Sequence, residues 1–542
     1  MTRKGWETGT AMATAPASAP LPPVLRPENP PHRSLSDLAE RFGLGVRGDL
    51  GAQTITGITL ATADLRAGEV FVGIHGARRH GAEFAGQAAE QGAVAILTDA
   101  EGAEIAAPSG LPLLIADDPR AVLGAISAWL YGTDADMPTL LAVTGTNGKT
   151  STAHVLEAIL DQIGVVTGLS STAERHIAGQ TIVSRLTTPE SSELHALLAL
   201  MRERDVAAVA VEVSAQALSR HRVDGLLFDV AGFTNLTHDH LDDYGDLETY
   251  LEAKLALFRP DRARRGVVCV DTASGREVVA RSQIPVVTVG APQLAQDADA
   301  AADADWIVRI DEETQRATTF TVRAPGGDEI STTIPVIGAH MAANTGLAIA
   351  MLVEAGYDFD RIAAVLERDG GVRAVLPGRT EIVSGEQGPV VYVDFSHTPD
   401  SFEKTLAAVR KVTPGRVLMM FGASGNRDTL KRPIMGRVAA EGADVVIVTD
   451  HHPRYEEAAP IRAALLDGAR SAGTDAEIIE VAAPEEAIRA AVSMTGEGDA
   501  ILWAGPGHQD YREINGVRTP FSARALARQA LQDAGWPVPD PR

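Results

Sequence analysis

An apolar tetrad, Leu140-Leu141-Ala142-Val143, runs without a break into Thr144-Gly145-Thr146-Asn147-Gly148-Lys149-Thr150-Ser151. A buried strand that ends in a glycine-rich turn and restarts as a helix at a Lys-Thr pair brings several backbone N–H groups and a helix N-terminus to one small volume. That volume suits a polyphosphate. Lys149 is placed to reach the outer phosphates and the Thr150 hydroxyl to ligate Mg²⁺, so Gly145, Thr146, Asn147, Gly148, Lys149 and Thr150 are expected to hold ATP by the logic of a Walker A loop. The full G-x-x-x-x-G-K-[ST] spacing asks for glycine at 143, where Val143 stands. The plainer alternative is a glycine-rich turn with a solvated lysine.

A chain of 542 residues is too long for one hydrophobic core and predicts about three or four domains of ordinary size. Its formal net charge of -24 argues against a nucleic-acid or anionic-membrane surface, so an anionic substrate must be met by local Arg and Lys groups. A single cysteine, Cys269, in the apolar run 266–270, excludes an intramolecular disulfide and a multi-thiol metal site, and is expected to be a buried strand residue. No apolar stretch approaches a membrane span and no signal-peptide core is present; the expectation is a cytoplasmic protein without membrane insertion. Residues 1–31, rich in Ala and Pro with little to bury, read as a disordered extension.

The pattern then divides into an N-terminal domain over 32–137, a central domain over 138–375 and a C-terminal domain over 376–542. The first has short strands, 70–74 and 93–97, with helical spacing over 82–92 between them. In the second, strands at 140–144, 207–213 and 230–236 alternate with helices after Lys149 and over 247–258, which implies βαβ units around a parallel sheet covered on both faces. The acidic, Ala-rich stretch 295–305 reads as an exposed excursion. After Leu376-Pro377-Gly378 come five apolar runs, 390–395, 417–421, 445–448, 478–481 and 500–504, a second doubly wound domain with active residues expected at the carboxyl ends of its strands.

Chemistry concentrates at strand ends. Glu212 closes one strand, and Asn235-Leu236-Thr237-His238-Asp239-His240-Leu241-Asp242 follows the next. Mg²⁺ prefers oxygen ligands and is often held by one or two carboxylates plus substrate phosphates, so Glu212 with Thr150 fits. His240 is a softer group, for which physics alone favours a hydrogen-bonding role. Lys254, read from its helical pattern alone, is a solvated lysine.

Six motifs in one order resemble the Mur ligases of peptidoglycan synthesis: Gly145 to Thr150, Thr187-Thr188-Pro189, Glu212-Val213-Ser214, the 235–242 segment, Asp394 with His397-Thr398-Pro399-Asp400, and Arg427-Asp428 with Lys431-Arg432-Pro433. The resemblance covers about residue 50 to the C-terminus and is strongest to the branch that adds the third residue of the stem peptide. It implies an α/β protein of three domains: a small α/β domain for the uridine nucleotide, a central P-loop-type parallel-sheet ATPase domain and a C-terminal Rossmann-like domain for the amino acid. It implies ATP and Mg²⁺, with Thr150, Glu212, His240 and Lys254 at the metal, and makes Lys254 a carbamylated lysine. Lys149, Lys254 and His397 would be catalytic. Asn344, Arg379 and Lys431 would contact the nucleotide, although Met341 replaces a second asparagine common in relatives.

The implied partners are UDP-N-acetylmuramoyl-dipeptide and a free diamino acid, handled by a monomer. Thr187, Thr188, Ser214 and Arg222 match positions for the dipeptide, and Thr62 one for the uridine nucleotide, where Ala61-Thr62-Ala63 departs from the family's Asp-Ser-Arg. Arg427, His451, His452, Arg454, Gly505 and Gln509 fall at amino-acid positions. Here two signals oppose each other. Arg454 suits the distal carboxylate of diaminopimelate, which lysine and ornithine lack, whereas Gln509 replaces a carboxylate expected to meet the distal ammonium. Folylpolyglutamate synthase, other Mur ligases and a catalytically silent nucleotide-sugar binder on the same fold are the competing readings.

Overall fold

The computed structural model of the chain describes residues 24–76, 79–237 and 241–539. One compact unit ends at Pro377 and a second begins at Gly378.

The first unit opens with a five-stranded sheet in the order Gly45–Arg47, Leu113–Ile115, Ala95–Thr98, Glu69–Gly73, Gly57–Thr59, parallel except for Gly45–Arg47. Apolar residues on one sheet face pack under the helices Leu35–Phe42 and Pro119–Tyr131. The latter is cut cleanly from the sequence: Asp118 caps it, proline fills its first position, and Gly132 ends it in the left-handed region. Ala196 and Ala199 of the central helix Ser191–Glu203 join that core, so the N-terminal and central regions share apolar contacts.

The central region is built on an eleven-stranded sheet. From Thr167–Ser170 through Ala208–Glu212, Thr139–Thr144, Phe228–Phe233, Ala263–Cys269 and Val286–Gly290 to Trp306–Glu313, every neighbouring pair is parallel. Two apolar clusters cover its two faces. Antiparallel hairpins extend it at both margins: Glu174–Ile177 with Gln180–Val183, and Thr318–Arg323 with Glu329–Ile334. Glu329–Ile334 alternates buried and less buried residues, the pattern of a strand with one wet face, which a search for continuous apolar runs passes over. The strand expected to reach 236 stops at Phe233, because Thr234 onward turns to grip the glycine loop.

The second unit turns the five apolar runs into five parallel strands, in the order Val390–Asp394, Ala500–Ala504, Val417–Phe421, Val445–Val448, Glu477–Glu480, with Glu381–Ile382 antiparallel at one edge.

Two expectations need correction. Residues 24–31 are packed: Arg26 forms a buried ion pair with Glu69 at 2.7 Å, Arg66 donates to the Val24 carbonyl, and the Glu28 and Asn29 N–H groups donate to Glu203. The segment has little apolar mass to bury, but its charges and backbone donors find partners. The 295–305 stretch is largely exposed, as expected, and its middle forms the short helix Ala298–Ala302, capped by Asp297. Cys269 is half-buried at the end of its strand, its Sγ donating to Asp271 at 3.1 Å. Among the described residues no helix is long and apolar enough to cross a membrane.

Candidate functional site

The glycine loop lies between the Thr139–Thr144 strand and the Lys149–Gln162 helix. Gly145 has φ 143° and Gly148 φ 88°, both in the region that favours glycine. A Cβ at 145 would lie 1.9 Å from Thr234 Oγ1, and one at 148 would lie 2.8 Å from Asn344 Oδ1. Neighbouring chain therefore fills the space a side chain would take. The loop is gripped by the segment after the adjacent strand: Thr146 N–H donates to Asn235 O, Asn147 N–H to Asn235 Oδ1, and Thr234 Oγ1 to Asn147 O. Gly148 offers no side-chain cap to the helix, which leaves its N-terminus open to a ligand's oxygens.

Lys149 Nζ folds back onto the loop, donating to the carbonyls of Gly145 and Thr146 at 3.0 and 2.9 Å. Lys254 Nζ reaches the same Gly145 oxygen at 2.8 Å. Its side chain is 1% exposed and its nitrogen lies 4.2 Å from the centre of the Tyr250 ring. The solvated lysine read from the helical pattern is thus a buried one, held four residues from an aromatic partner on its own helix.

Glu212, 2% exposed, receives the Thr150 hydroxyl at 3.2 and 3.1 Å on its two carboxylate oxygens. Its Oε2 also accepts from Thr172, from N–H at 2.7 Å and from the hydroxyl at 3.0 Å. A hydroxyl and a carboxylate in contact at the foot of a glycine loop are hard oxygen donors of the kind Mg²⁺ takes, and the loop has the open N–H groups a polyphosphate needs. The residues present fit both groups. His240 lies outside the described residues.

The dipeptide candidates adjoin this carboxylate. Thr188 Oγ1 donates to the Glu212 carbonyl at 2.7 Å and accepts from Ser214 N–H at 3.1 Å. Ser214 caps the Ala215–Ser219 helix, and Arg222 pairs with Glu190 at 3.0 Å while donating to Thr188 O. Thr187 Oγ1 lies 3.0 Å from Thr172 Oγ1. Thr62 opens the turn Thr62–Asp64, and Asp64 receives Arg185 Nη1 at 2.9 and 2.7 Å, which ties the uridine candidate to the loop that carries Thr187. Thr172, Asp64 and Arg185 escaped the sequence reading, and an isolated polar loop residue gives no periodic signal that would find it.

In the second unit Arg379 and His397 meet at Phe395, and Lys431 reaches His397. The Arg379 guanidinium lies 4.9 Å from its ring centre, and the rings of His397 and His508 lie 5.0 and 5.2 Å away. Lys431 Nζ donates to the His397 carbonyl at 3.0 Å. A Cβ on Gly507 would meet Phe395 at 2.6 Å, so the glycine permits this packing.

The amino-acid candidates form a second group at the strand ends. His452 Nδ1 accepts from Glu513 N–H at 3.0 Å, which leaves the proton on Nε2 to donate to Gln509 Oε1 at 2.9 Å. The His451 and His452 rings are 4.1 Å apart, and a Cβ on Gly505 would lie 3.8 Å from His451 Nε2. Burial lowers the pKa of both imidazoles, with nearby Arg454 and Arg512 acting in the same direction. Arg454, at φ 54°, is fixed by backbone bonds to Glu513 and Asn515, and its buried Nε has no hydrogen-bond partner among the described residues. Arg427 is exposed on the neighbouring loop, whose Asn426 side chain accepts from Tyr455 N–H.

Comparison with known proteins covers nearly the whole chain. Family models described as "Mur ligase family, catalytic domain", "Mur ligase middle domain" and "Mur ligase, glutamate ligase domain" match residues 54–128, 143–352 and 378–507. A UDP-N-acetylmuramyl-tripeptide synthetase of Leifsonia xyli subsp. xyli is 56% identical over 519 residues, 96% of this chain and 100% of that protein. The UDP-N-acetylmuramoyl-L-alanyl-D-glutamate--2,6-diaminopimelate ligase of Streptomyces coelicolor is 41% identical, covering 95% and 99% of the two chains. A solved structure of a diaminopimelate ligase of this name shares the fold, with a TM-score of 0.64 at 24% identity over 93% of this chain and 100% of that one. The chain belongs to the Mur ligase family, whose members are ATP-dependent and use Mg²⁺.

Proposed function

We infer that the protein joins a diamino acid to the side-chain carboxylate of D-Glu in UDP-N-acetylmuramoyl-L-Ala-D-Glu with turnover of ATP, a step of peptidoglycan precursor synthesis in the cytoplasm. The observation that carries this reading is the convergence of Thr150, Glu212 and buried Lys254 on one glycine loop. In this reaction a D-Glu carboxylate oxygen attacks the γ-phosphorus of ATP, the bond to the bridging oxygen breaks with its electrons leaving on ADP, and an acyl phosphate results. The amine nitrogen attacks the carbonyl carbon, a proton leaves the nitrogen, and inorganic phosphate departs with the electrons of the broken C–O bond. The protein's share is positioning and charge neutralisation.

Lys149 and the open N–H groups of its helix bind the phosphates. Thr150 and Glu212 hold Mg²⁺, which when bound spreads charge from the phosphoryl oxygens. Lys254 serves as a carbamate, formed when its neutral amine adds to CO₂ with loss of one proton. A carbamate nitrogen keeps one N–H, so the bond to the Gly145 carbonyl survives the modification, and one of the two lysine cations on that oxygen is replaced by an anion. His240 joins the metal group in this scheme. Asn344, Arg379, His397 and Lys431 serve the nucleotide, Thr187, Thr188, Ser214 and Arg222 the dipeptide, and Thr62 the uridine.

For the amine, Arg454 favours diaminopimelate. Its buried Nε, without a partner among the described residues, lies in a group where His452 holds Gln509 Oε1, so Gln509 meets a distal ammonium with at most one remaining lone pair and no negative charge. A folylpolyglutamate synthase-like activity is less supported, since the relatives named above match nearly the full length, including the N-terminal domain. An end-point assay offering the purified protein diaminopimelate, lysine and ornithine with ATP and UDP-N-acetylmuramoyl-dipeptide tests the reading. Product with any of them, dependent on the dipeptide, is expected; ATP turnover without amide product refutes it.

A further inference from the structure

Thr172 belongs to none of the motifs that mark the family, yet it touches both halves of the site. Its N–H donates to Glu212 Oε2 at 2.7 Å, and its hydroxyl lies 3.0 Å from that oxygen and 3.0 Å from Thr187 Oγ1. The hydroxyl has one proton for two acceptors. While no cation draws on Oε2, the carboxylate is the stronger acceptor and takes it. A cation drawing on the Glu212 oxygens weakens that claim, and rotation about a single C–O bond then turns the proton toward Thr187.

The turn that presents Thr172 does not yield easily. Ser171 N–H and Oγ both donate to the Glu174 carbonyl, Glu174 N–H returns to Ser171 Oγ, and buried His154 hydrogen-bonds the same hydroxyl at 3.1 Å. Thr188, next to Thr187, is meanwhile bolted to the Glu212 main chain and to Ser214 N–H. The Thr187-Thr188 loop thus meets Glu212 twice, rigidly through Thr188 and switchably through Thr172.

We propose that Thr172 is a positioning residue that aims the Glu212 carboxylate and couples the metal site to the Thr187-Thr188 loop. The inference rests on the reading of Glu212 as a metal ligand and of Thr187 as a dipeptide contact. Filling either site then favours filling the other, by the same factor in both directions.

The test uses Thr172→Val, which loses the hydroxyl and keeps the N–H, and Thr172→Ser, which keeps both. Binding of Mn²⁺ with a non-hydrolysable ATP analogue is followed by electron paramagnetic resonance of the free ion, with and without UDP-N-acetylmuramoyl-dipeptide. Calorimetry gives the dipeptide affinity with and without Mn²⁺-nucleotide. A hydroxyl that leaves Oε2 when the ion binds stabilises the ion-free carboxylate, so its loss predicts Mn²⁺ affinity in the absence of dipeptide about 10-fold tighter in Thr172→Val. The mutual enhancement seen in the wild type should fall toward unity there and return in Thr172→Ser. Wild-type Mn²⁺ affinity in Thr172→Val, or enhancement that persists in it, overturns the proposal. Glu212→Gln separates the two levels: if it too leaves Mn²⁺ affinity unchanged, the metal reading of Glu212 falls along with the inference. If Glu212→Gln weakens the ion and Thr172→Val leaves both the affinity and the mutual enhancement as in the wild type, the inference alone fails.

Discussion

Removing the Lys254 nitrogen while keeping its stem is the sharpest perturbation this fold offers. Lys254→Ala deletes about three buried methylene groups beyond Cβ, which on area burial costs on the order of 2–3 kcal/mol of stability, and so mixes a packing defect with any chemical one. Lys254→Met fills nearly the same volume over the Tyr250 ring and loses only the nitrogen. Its expected stability is within about 1.5 kcal/mol of wild type by denaturant unfolding. Its expected turnover, by phosphate release with dipeptide and diamino acid present, is lower by about 10²–10³-fold, the scale on which removing one preorganised charge-stabilising group acts. Short-chain carboxylates should partly restore Lys254→Ala, where there is room for them. A carbamate resonance should appear in the ¹³C spectrum of wild-type protein given labelled bicarbonate and be missing from both variants. Wild-type turnover in a folded Lys254→Met would refute the reasoning, because it would reduce the buried nitrogen to a structural prop for the Gly145 carbonyl.

The glycine loop was legible because its requirements are local: a strand, two backbone positions only glycine adopts freely, and a helix start, all within a dozen residues. Four of the five C-terminal strands were legible for a similar reason, since a strand buried on both faces must be apolar throughout, whereas the edge strand Glu477–Glu480 keeps only a half-buried apolar centre. Lys254 was not, because the carbonyl that buries its nitrogen lies 109 positions away in sequence. The antiparallel margins and the packed 24–31 segment failed differently: their signal is alternation or ion pairing, which only the partner strand or Glu69 completes. Gln509 shows the same limit at the level of chemistry. Alone it reads as an amide where a carboxylate is missing, while in the fold one lone pair of its oxygen goes to His452, whose tautomer is in turn set by Glu513 N–H. Residue identity marked the amino-acid group, and pairing inside the fold decides which atoms it has left to offer.

Arg454→Ala should raise the KM for diaminopimelate steeply and narrow its advantage over lysine; unchanged discrimination, or a wild type that prefers lysine, would sink the assignment of that arginine. Arg26→Ala strands Glu69, buried and paired with it, and should cost about 3–5 kcal/mol by denaturant unfolding, whereas replacing both partners by apolar residues of like volume should cost far less. Equal losses in the two variants would argue against an ion pair as the anchor of the N-terminal segment. The last expectation concerns pH. Burial by itself would lower the pKa of His176, but hydrogen bonds to Glu157 and Glu174 on its two ring nitrogens outweigh that and raise it to about 9. A pKa raised in the folded state means the stability it contributes is fully present below the ordinary histidine value of 6.5 and is lost as pH climbs through about 9. The urea midpoint of the wild type should therefore fall over that window by more than that of His176→Gln, which has no proton to lose. The effect matters to the site because Glu157 lies on the helix that follows the glycine loop and Glu174 closes the turn that presents Thr172. Parallel pH profiles for the two proteins would show that the two carboxylates do not hold the imidazolium, and would remove this clamp from the account of how Thr172 is kept in place.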